Sequence, residues 1–317
     1  MNFSARVCAE IEAFGFQICS LCLNVSFPSV TICPMCTSHS LLVKATRKLL
    51  ELRSDRAWFI QLPSRCPPVL WFGNGSSPKP KVLTFGANPS RKEFLSDSAA
   101  QAIEKVRSSG DQSLLSYLEP PDSRLRLLTP VERMADILDS ESLRDEIIAS
   151  YNSYFAGKPY KKWFGHNRDG SYYVEGFLRG FGASYYDGNA TRLQAIHIDL
   201  FPFVTLDDFG QIKEIADTAL FGDGWVPDFV GQLVEALSPE VLILFGRTNC
   251  GYFAKYIDGS LSNVGWDRFP SGQYFVGHSE KCGLPVIGLS TNLGNPKGFT
   301  AATLKQFGEH VQSALKK

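Results

Sequence analysis

An α/β fold in three α/β/α layers around a central four-stranded parallel sheet follows from three features of the sequence. Four short apolar runs lie at 81–85, 195–200, 241–245 and 285–289. Each ends in turn residues: Gly86, Phe201-Pro202, Gly246 and Ser290. Amphipathic helical patterns separate them. Short continuous apolar runs suit strands buried on both faces, and strands alternating with helices suit a layered parallel sheet.

From the N-terminus, Cys19-Ser20-Leu21-Cys22 and Cys33-Pro34-Met35-Cys36 form two C-x2-C turns ten residues apart. Each turn can aim two thiolates at one ion, and two turns complete a closed tetrahedral site of the structural kind. The expectation is a zinc ribbon over 1–40, in which metal binding supplies the folding energy that a small core cannot. Cys8 lies outside the pattern and reads as a buried free thiol. The remainder, 41–317, reads as one domain. A helix is expected over 41–56, with Leu41, Leu42, Ala45, Leu49 and Leu52 near one face. The Pro/Gly/Ser stretch 73–80 then leads into the first strand. Further helices are expected at about 98–107, 130–149, 172–180, 227–237, 248–257 and 300–315. Residues 108–130, with Pro120-Pro121, read as a lid or a plain insertion.

Composition narrows the class. The chain has 317 residues, 44% hydrophobic and 20% charged, which suits one sizeable core plus a small module. No apolar run reaches the ~20 residues that cross a bilayer. No basic segment followed by an apolar core marks a secretory signal, so a cytoplasmic, reducing setting is expected and membrane partners are not. Net charge is zero, which argues against a nucleic-acid partner. The distribution argues the other way: between 40 and 92 stand Lys44, Arg47, Lys48, Arg53, Arg56, Arg65, Lys79, Lys81, Arg91 and Lys92, opposed by Glu51 and Asp55. Lys158, Lys161, Lys162 and Arg168 form a second cluster among aromatics. Either run is a solvated helix face or a phosphate-tracking surface.

In open α/β sheets the ligand cleft lies beyond the carboxyl ends of the strands. Four segments are therefore read together. Phe85-Gly86-Ala87-Asn88-Pro89-Ser90 is a tight turn in which Gly86 permits close backbone approach and Asn88 offers a side-chain amide. In Ile196-His197-Ile198-Asp199-Leu200, strand alternation puts His197 and Asp199 on one side of an apolar run. Asp199 either caps the next turn or points an acceptor into the cleft. Phe245-Gly246-Arg247-Thr248-Asn249 reads as a strand-to-helix turn with no assigned chemistry. Ser290-Thr291-Asn292-Leu293-Gly294-Asn295-Pro296-Lys297 is a polar loop that either clamps a phosphate or merely connects.

Gly86-Ala87-Asn88-Pro89-Ser90 resembles the G-x-N-P-G motif of the mismatch-specific and single-strand-selective branches of the uracil-DNA glycosylase superfamily. The run from Ser290 to Pro296 is similar to the H-P-S-x-x-N-P loop of the single-strand-selective branch. The strand ending at Asp199 resembles the one whose last residue reads the target base. Tyr151-Asn152-Ser153-Tyr154-Phe155 and Trp163-Phe164 add likeness to bacterial relatives. The resemblance covers roughly 70–317 and implies a DNA partner, hydrolysis of an N-glycosidic bond, and no organic cofactor. Asn88 would position the attacking water; Gly86 and Ala87 would contact the base; Phe94 would stack on it; Asp199 would read its edge. Ser90, Arg91, Lys92, Thr291, Asn292, Asn295 and Lys297 would hold the DNA. An enzyme acting on a base must extrude it, stack it and read its Watson–Crick edge.

Two departures qualify the resemblance. Ser290 stands where many relatives carry a histidine, so stabilising the departing base would fall to Ser290, Thr291, Asn292, His197 or backbone amides. His166 and His278 qualify only if the fold brings them near. Asp199 stands where uracil readers carry asparagine. A carboxylate only accepts hydrogen bonds, so it repels uracil O4 and welcomes an exocyclic amine. The expected target is a cytosine-type or other amino-bearing modified base. Superfamily relatives include anti-phage glycosylases that excise glucosylated hydroxymethylcytosine. The alternatives are a repair enzyme for uracil or deaminated bases and a catalytically silent DNA-binding protein on the same fold. A nucleotide binder would need a G-x-G-x-x-G or P-loop turn after a strand, and the sequence has neither there.

Overall fold

The computed structural model describes residues 34–62, 66–90, 135–157, 164, 173–186, 190–294 and 296–316. These form a mixed α/β domain on a seven-stranded sheet. In chain order the elements are α1 (Pro34–Ser54), α2 (Arg56–Gln61), β1 (Lys81–Gly86), α3 (Asp136–Asp139), α4 (Glu141–Ser153), α5 (Tyr173–Phe181), β2 (Ala183–Ser184) and β3 (Leu193–Asp199). They continue with α6 (Phe209–Ala216), α7 (Trp225–Leu237), β4 (Val241–Phe245), α8 (Arg247–Tyr256), β5 (Asp267–Phe269), β6 (Gly272–Ser279), β7 (Leu284–Leu289) and α9 (Ala301–Leu315). No helix among the described residues is long and apolar enough to cross a membrane.

The sheet runs β2-β3-β1-β4-β7-β6-β5. All four strands expected from the sequence are present, adjacent and parallel, but the expected four-stranded sheet is only the centre of a larger one. β2 adds two parallel residues beyond β3, while β6 and β5 add an antiparallel edge beyond β7. These additions escape the apolar-run signal for a physical reason. β6, GQYFVGHS, is buried only at scattered positions, because near the sheet's margin a strand need not be apolar on both faces along its length.

Alternation places helices on both faces. Phe85 of β1 meets Phe253 of α8 edge-on at 5.2 Å, and its register partner Leu244 shares that face. The next residue, Phe245, turns to the other face and meets Phe177 of α5 at 6.3 Å. There α5 and α9 cross closely because both carry glycine. A Cβ at Gly180 would lie 2.0 Å from the carbonyl of Lys305, and one at Gly308 would lie 2.1 Å from that of Phe177.

Several helical boundaries differ from expectation. α1 begins at Pro34 and runs across the expected 40/41 boundary, with proline at the first helical position, where its missing N–H costs nothing. The 41–56 pattern ends at Ser54, and Asp55 then caps α2 through the amides of Ala57 and Trp58. The 130–149 pattern divides at Ser140, whose hydroxyl accepts from Leu143 N and starts α4. α6 was not anticipated; its start is marked by a capping box between Asp208 and Gln211, and it ends in a wide turn over Asp217–Phe221. The 98–107 helix and the 108–130 segment lie outside the described residues.

Three cations of the basic run between 40 and 92 are engaged within the fold. Lys44 pairs with Asp228 of α7. Lys48, buried, pairs with Glu51 at 2.8 Å and Asp223 at 2.9 Å. Lys79 donates to Thr191 O at 3.0 Å. These cations tie α1 and the loop before β1 to the domain, which is the structural alternative to a phosphate-tracking face. The cluster Lys158, Lys161, Lys162 and Arg168 lies outside the described residues.

Asp258, just beyond α8, fastens the turn between β6 and β7. Its carboxylate accepts from the Ser260 amide and hydroxyl, the Ser279 hydroxyl and the Lys281 amide, at 2.6–3.1 Å. Burial alone would raise its pKa, but these donors outweigh burial and hold it at about 2, against an ordinary 3.8. A depressed folded-state pKa means stability that is present above pH 4 and lost as pH falls through 2. Asp258→Asn should cost about 1.5–3 kcal/mol at pH 7, the range for hydrogen bonds to a charged group. Urea melts of the two proteins should converge as pH falls from 4 to 2; an unchanged gap across that window would contradict the assignment.

Candidate active site

A cleft of about 740 Å³ opens where β1, β3 and β4 end. Gly86, Ala87, Asn88, Pro89 and Ser90 line it after β1, His197 and Asp199 from β3, Gly246, Thr248 and Asn249 after β4, and Asn292 after β7. The first, second and fourth of the expected segments thus converge, and the third joins them although no chemistry was assigned to it.

Register builds the polar floor. Thr84 pairs with His197 and Gly86 with Asp199 across the parallel β1/β3 ladder, so all four share one face. Both His197 and Asp199 are 5% exposed. His197 Nε2 lies 3.4 Å from Asp199 Oδ1, and His197 Nδ1 lies 2.9 Å from Thr84 Oγ1. The glycine at 86 is a steric requirement. A Cβ there would stand 2.3 Å from Asp199 Oδ1 and 2.9 Å from His197 Nε2. Asp199 therefore points into the cleft rather than capping the following turn, whose Leu200 and Phe201 amides bond to the carbonyls of Gly86 and Ala87.

Asn88 has a defined orientation. Thr205 donates its single hydroxyl proton to Asp207 O at 2.7 Å. Its oxygen can then only accept, and it accepts from Asn88 Nδ2 at 2.8 Å. The nitrogen side of the amide is thereby held, and Asn88 lines the cleft. Thr205 and Asp207 were not anticipated from the sequence. Both follow the Phe201-Pro202-Phe203 run, which reads as a plain turn.

Aromatic walls complete the cleft: Phe72, Tyr154, Phe164, Phe209 and Tyr252 line it. Phe164 stands edge-on to His197 at 5.3 Å, and Phe72 lies 6.0 Å from the same ring. Phe94, expected to stack on the base, lies outside the described residues, as do Arg91, Lys92 and Asn295. Asn152, from the same stretch as Tyr154, has a supporting task. Its Oδ1 accepts from Trp71 Nε1 at 3.1 Å and Gly75 N at 2.9 Å, pinning the segment that precedes β1.

The loop after β7 is only partly in the site. Ser290 does not line the cleft among the described residues; its hydroxyl accepts from Gln273 N at 2.9 Å and its amide donates to Gln273 O at 2.8 Å. It extends the β6/β7 ladder by one rung. Thr291 packs beside Gly272. Lys297 is exposed. Asn292 reaches the cleft while its Oδ1 accepts from Gly294 N at 3.0 Å. His278 sits in β6, away from the lining residues, and His166 lies outside the described residues.

Electrostatically the cleft is acidic. Asp199, Asp207 and Asp208 line it, and none of the described lining residues is Lys or Arg. Arg247, next in sequence to Gly246, is held by Gln273 and lies over the Trp266 ring at 4.5 Å. Cys250, behind the cleft on α8, is buried, which pushes its thiol up to about 12 and leaves it unreactive. No group of three or more His, Cys, Asp or Glu suited to a metal ion occurs among the described residues. Cys19, Cys22 and Cys33 lie outside them, and Cys36 falls in the first turn of α1. Compared with models of protein families, with curated proteins and with solved structures, the chain matches none.

The Thr205 clamp has a direct readout. Thr205→Val should cost about 1–3 kcal/mol, for two lost hydrogen bonds. It should also move the Asn88 side-chain NH2 resonances toward free-amide positions, and Thr205→Ser should restore them. Unchanged Asn88 resonances in the valine variant would mean that the amide is held by something else.

Proposed function

We propose that the protein is a monofunctional DNA glycosylase that excises an extruded, amino-bearing base of cytosine type and leaves an abasic site. The observation that carries this reading is the meeting of Asn88 and Asp199, one a held amide and the other a buried carboxylate, in a single cleft at the carboxyl ends of β1 and β3. The motif resemblance noted above supplies the reaction class. In it, water adds to C1′ of the sugar, the C1′–N bond breaks, and the base departs with the electron pair and takes up a proton. Asn88 Oδ1 orients that water. Asp199 accepts from the exocyclic amine, and Phe164, Phe72 or Tyr154 packs against the base. Ser290 is poorly placed to stabilise the departing base because its hydroxyl serves the β6/β7 ladder, and His197 acts on the Asp199 carboxylate beside it rather than on the base.

The acidic lining favours a base over a phosphate in the cleft, which separates this reading from a nucleotide binder. Duplex and single-stranded DNA carrying uracil, hypoxanthine, 5-hydroxymethylcytosine or glucosylated 5-hydroxymethylcytosine, followed by alkaline cleavage, tests it. We expect release of a cytosine derivative, and a loss of roughly 100-fold or more in Asn88→Ala, from misplacing the nucleophile. Release of uracil alone would select the repair alternative. DNA binding that persists without release from any substrate would select the catalytically silent one.

The thiolates of Cys19, Cys22, Cys33 and Cys36 form a soft donor set that suits structural zinc. Elemental analysis of purified protein should find one zinc per chain, and Cys19→Ser with Cys22→Ser should lose it. Retention of full zinc content would place the metal elsewhere.

A further inference from the structure

Behind the cleft, a file of buried polar groups ends at Asp199. Tyr185 follows β2 and is buried, stacked on Phe155 at 4.5 Å and edge-on to Phe164 at 5.1 Å. Its hydroxyl bonds to Thr84 Oγ1. Thr84 Oγ1 also lies 2.9 Å from His197 Nδ1 and 3.3 Å from Ile196 O. His197 Nε2 faces Asp199 Oδ1 at 3.4 Å.

We infer that Tyr185 and Thr84 are positioning residues that fix His197 as its Nε2–H tautomer and, through it, leave Asp199 with one committed oxygen and one free acceptor for the base. Each step follows from counting protons. Burial pushes the Tyr185 phenol well above its ordinary range, so it keeps its proton. Thr84 Oγ1 is the acceptor within its reach, so Tyr185 donates there. Having accepted, Thr84 donates its own proton, and His197 Nδ1 is the nearer acceptor, at 2.9 Å against 3.3 Å. Nδ1 is then unprotonated and Nε2 carries the hydrogen. The opposite tautomer would press an Nε2 lone pair against a carboxylate oxygen. Nε2–H instead faces Asp199 Oδ1 across 3.4 Å, and Oδ2 is the oxygen it does not engage.

The consequence for selectivity rests on the proposed function. A histidine N–H beside a carboxylate and free of it would serve as a donor–acceptor pair, which reads uracil as well as cytosine. Committed to Asp199, the N–H no longer serves the base. The pocket then offers the base edge an acceptor only, which matches an exocyclic amine.

The test is nuclear magnetic resonance of the full chain with ring-15N histidine, using long-range proton–nitrogen correlation. His197 is assigned among the five histidines by its absence in His197→Gln. We expect Nδ1 of His197 as an unprotonated nitrogen and Nε2 as a protonated one. Tyr185→Phe removes the donor to Thr84, which weakens Thr84 as a donor to Nδ1 and strengthens it as an acceptor, so the population should shift toward the Nδ1–H tautomer, while Thr84→Ser should keep the wild-type pattern. Preference for an amino-bearing base over uracil should fall about tenfold in Tyr185→Phe, the scale of one base-edge contact. An Nδ1–H signal in the wild type, or a tautomer untouched by both Tyr185→Phe and Thr84→Val, overturns the inference. Should Tyr185→Phe fail to fold, the wild-type and Thr84→Ser spectra decide alone. The inferred tautomer in a protein that releases no base from any DNA leaves the relay standing and removes the excision reading.

Discussion

A missing Cβ governs the site. β1 and β3 end side by side in register, so whatever stands at 86 faces whatever stands at 199. Only glycine leaves room there for a carboxylate and an imidazole to lie against the neighbouring backbone. The rest of the polar floor depends on that contact. Asp199 is pressed toward the cleft, His197 is drawn to its flank, and Thr84 and Tyr185 fill the space behind. Any side chain at 86 would push Asp199 out or break the β1/β3 pairing, and the row of bonds behind it would lose its end point.

The sheet's centre was legible because parallel strands buried on both faces leave continuous apolar runs, and Val241–Phe245 and its neighbours do so. The edge was not: β5 is short and mostly exposed, and β6 is only partly buried, tolerates Gly272, Gly277 and His278, and blurs the pattern. α6 is obscured by Gly210 and by the aromatic run before it, although its capping box is visible as Asp208 followed three residues later by Gln211. Asn88, His197 and Asp199 were legible because each follows or ends a recognisable strand. Thr205 was not, since nothing local marks a threonine that acts on a residue 117 positions away. Tyr185 was hidden for the same reason: its partner Thr84 is 101 positions distant and sits within an apolar strand.

Charge also divides its work differently from what a linear count suggests. Lys44, Lys48 and Lys79 look like a basic face in sequence, yet they neutralise Asp228, Asp223, Glu51 and a carbonyl within the fold. The cleft keeps three carboxylates. A cleft of that sign repels phosphate and tolerates a neutral ring, so on the proposed reading the backbone contacts of a strand would fall to side chains outside the described lining.

The same carboxylate bears on the chemistry as well as on recognition. As a glycosidic bond breaks, negative charge grows on a departing uracil. A unit charge about 4 Å from Asp199 would meet a repulsion of about 4 kcal/mol at the effective dielectric of a protein surface. That is about a thousandfold in rate if uncompensated. An amino-bearing base meets the same growing charge, but its N–H donates to Asp199 where uracil O4 cannot, so a hydrogen bond offsets part of the repulsion. On the proposed reading, Gly86, His197 and Asp199 therefore disfavour uracil at the base edge, where the carboxylate faces O4. Substitution at 199 alone would not reverse that term, because the imidazole would still be wedged beside the new side chain by the steric demand at 86.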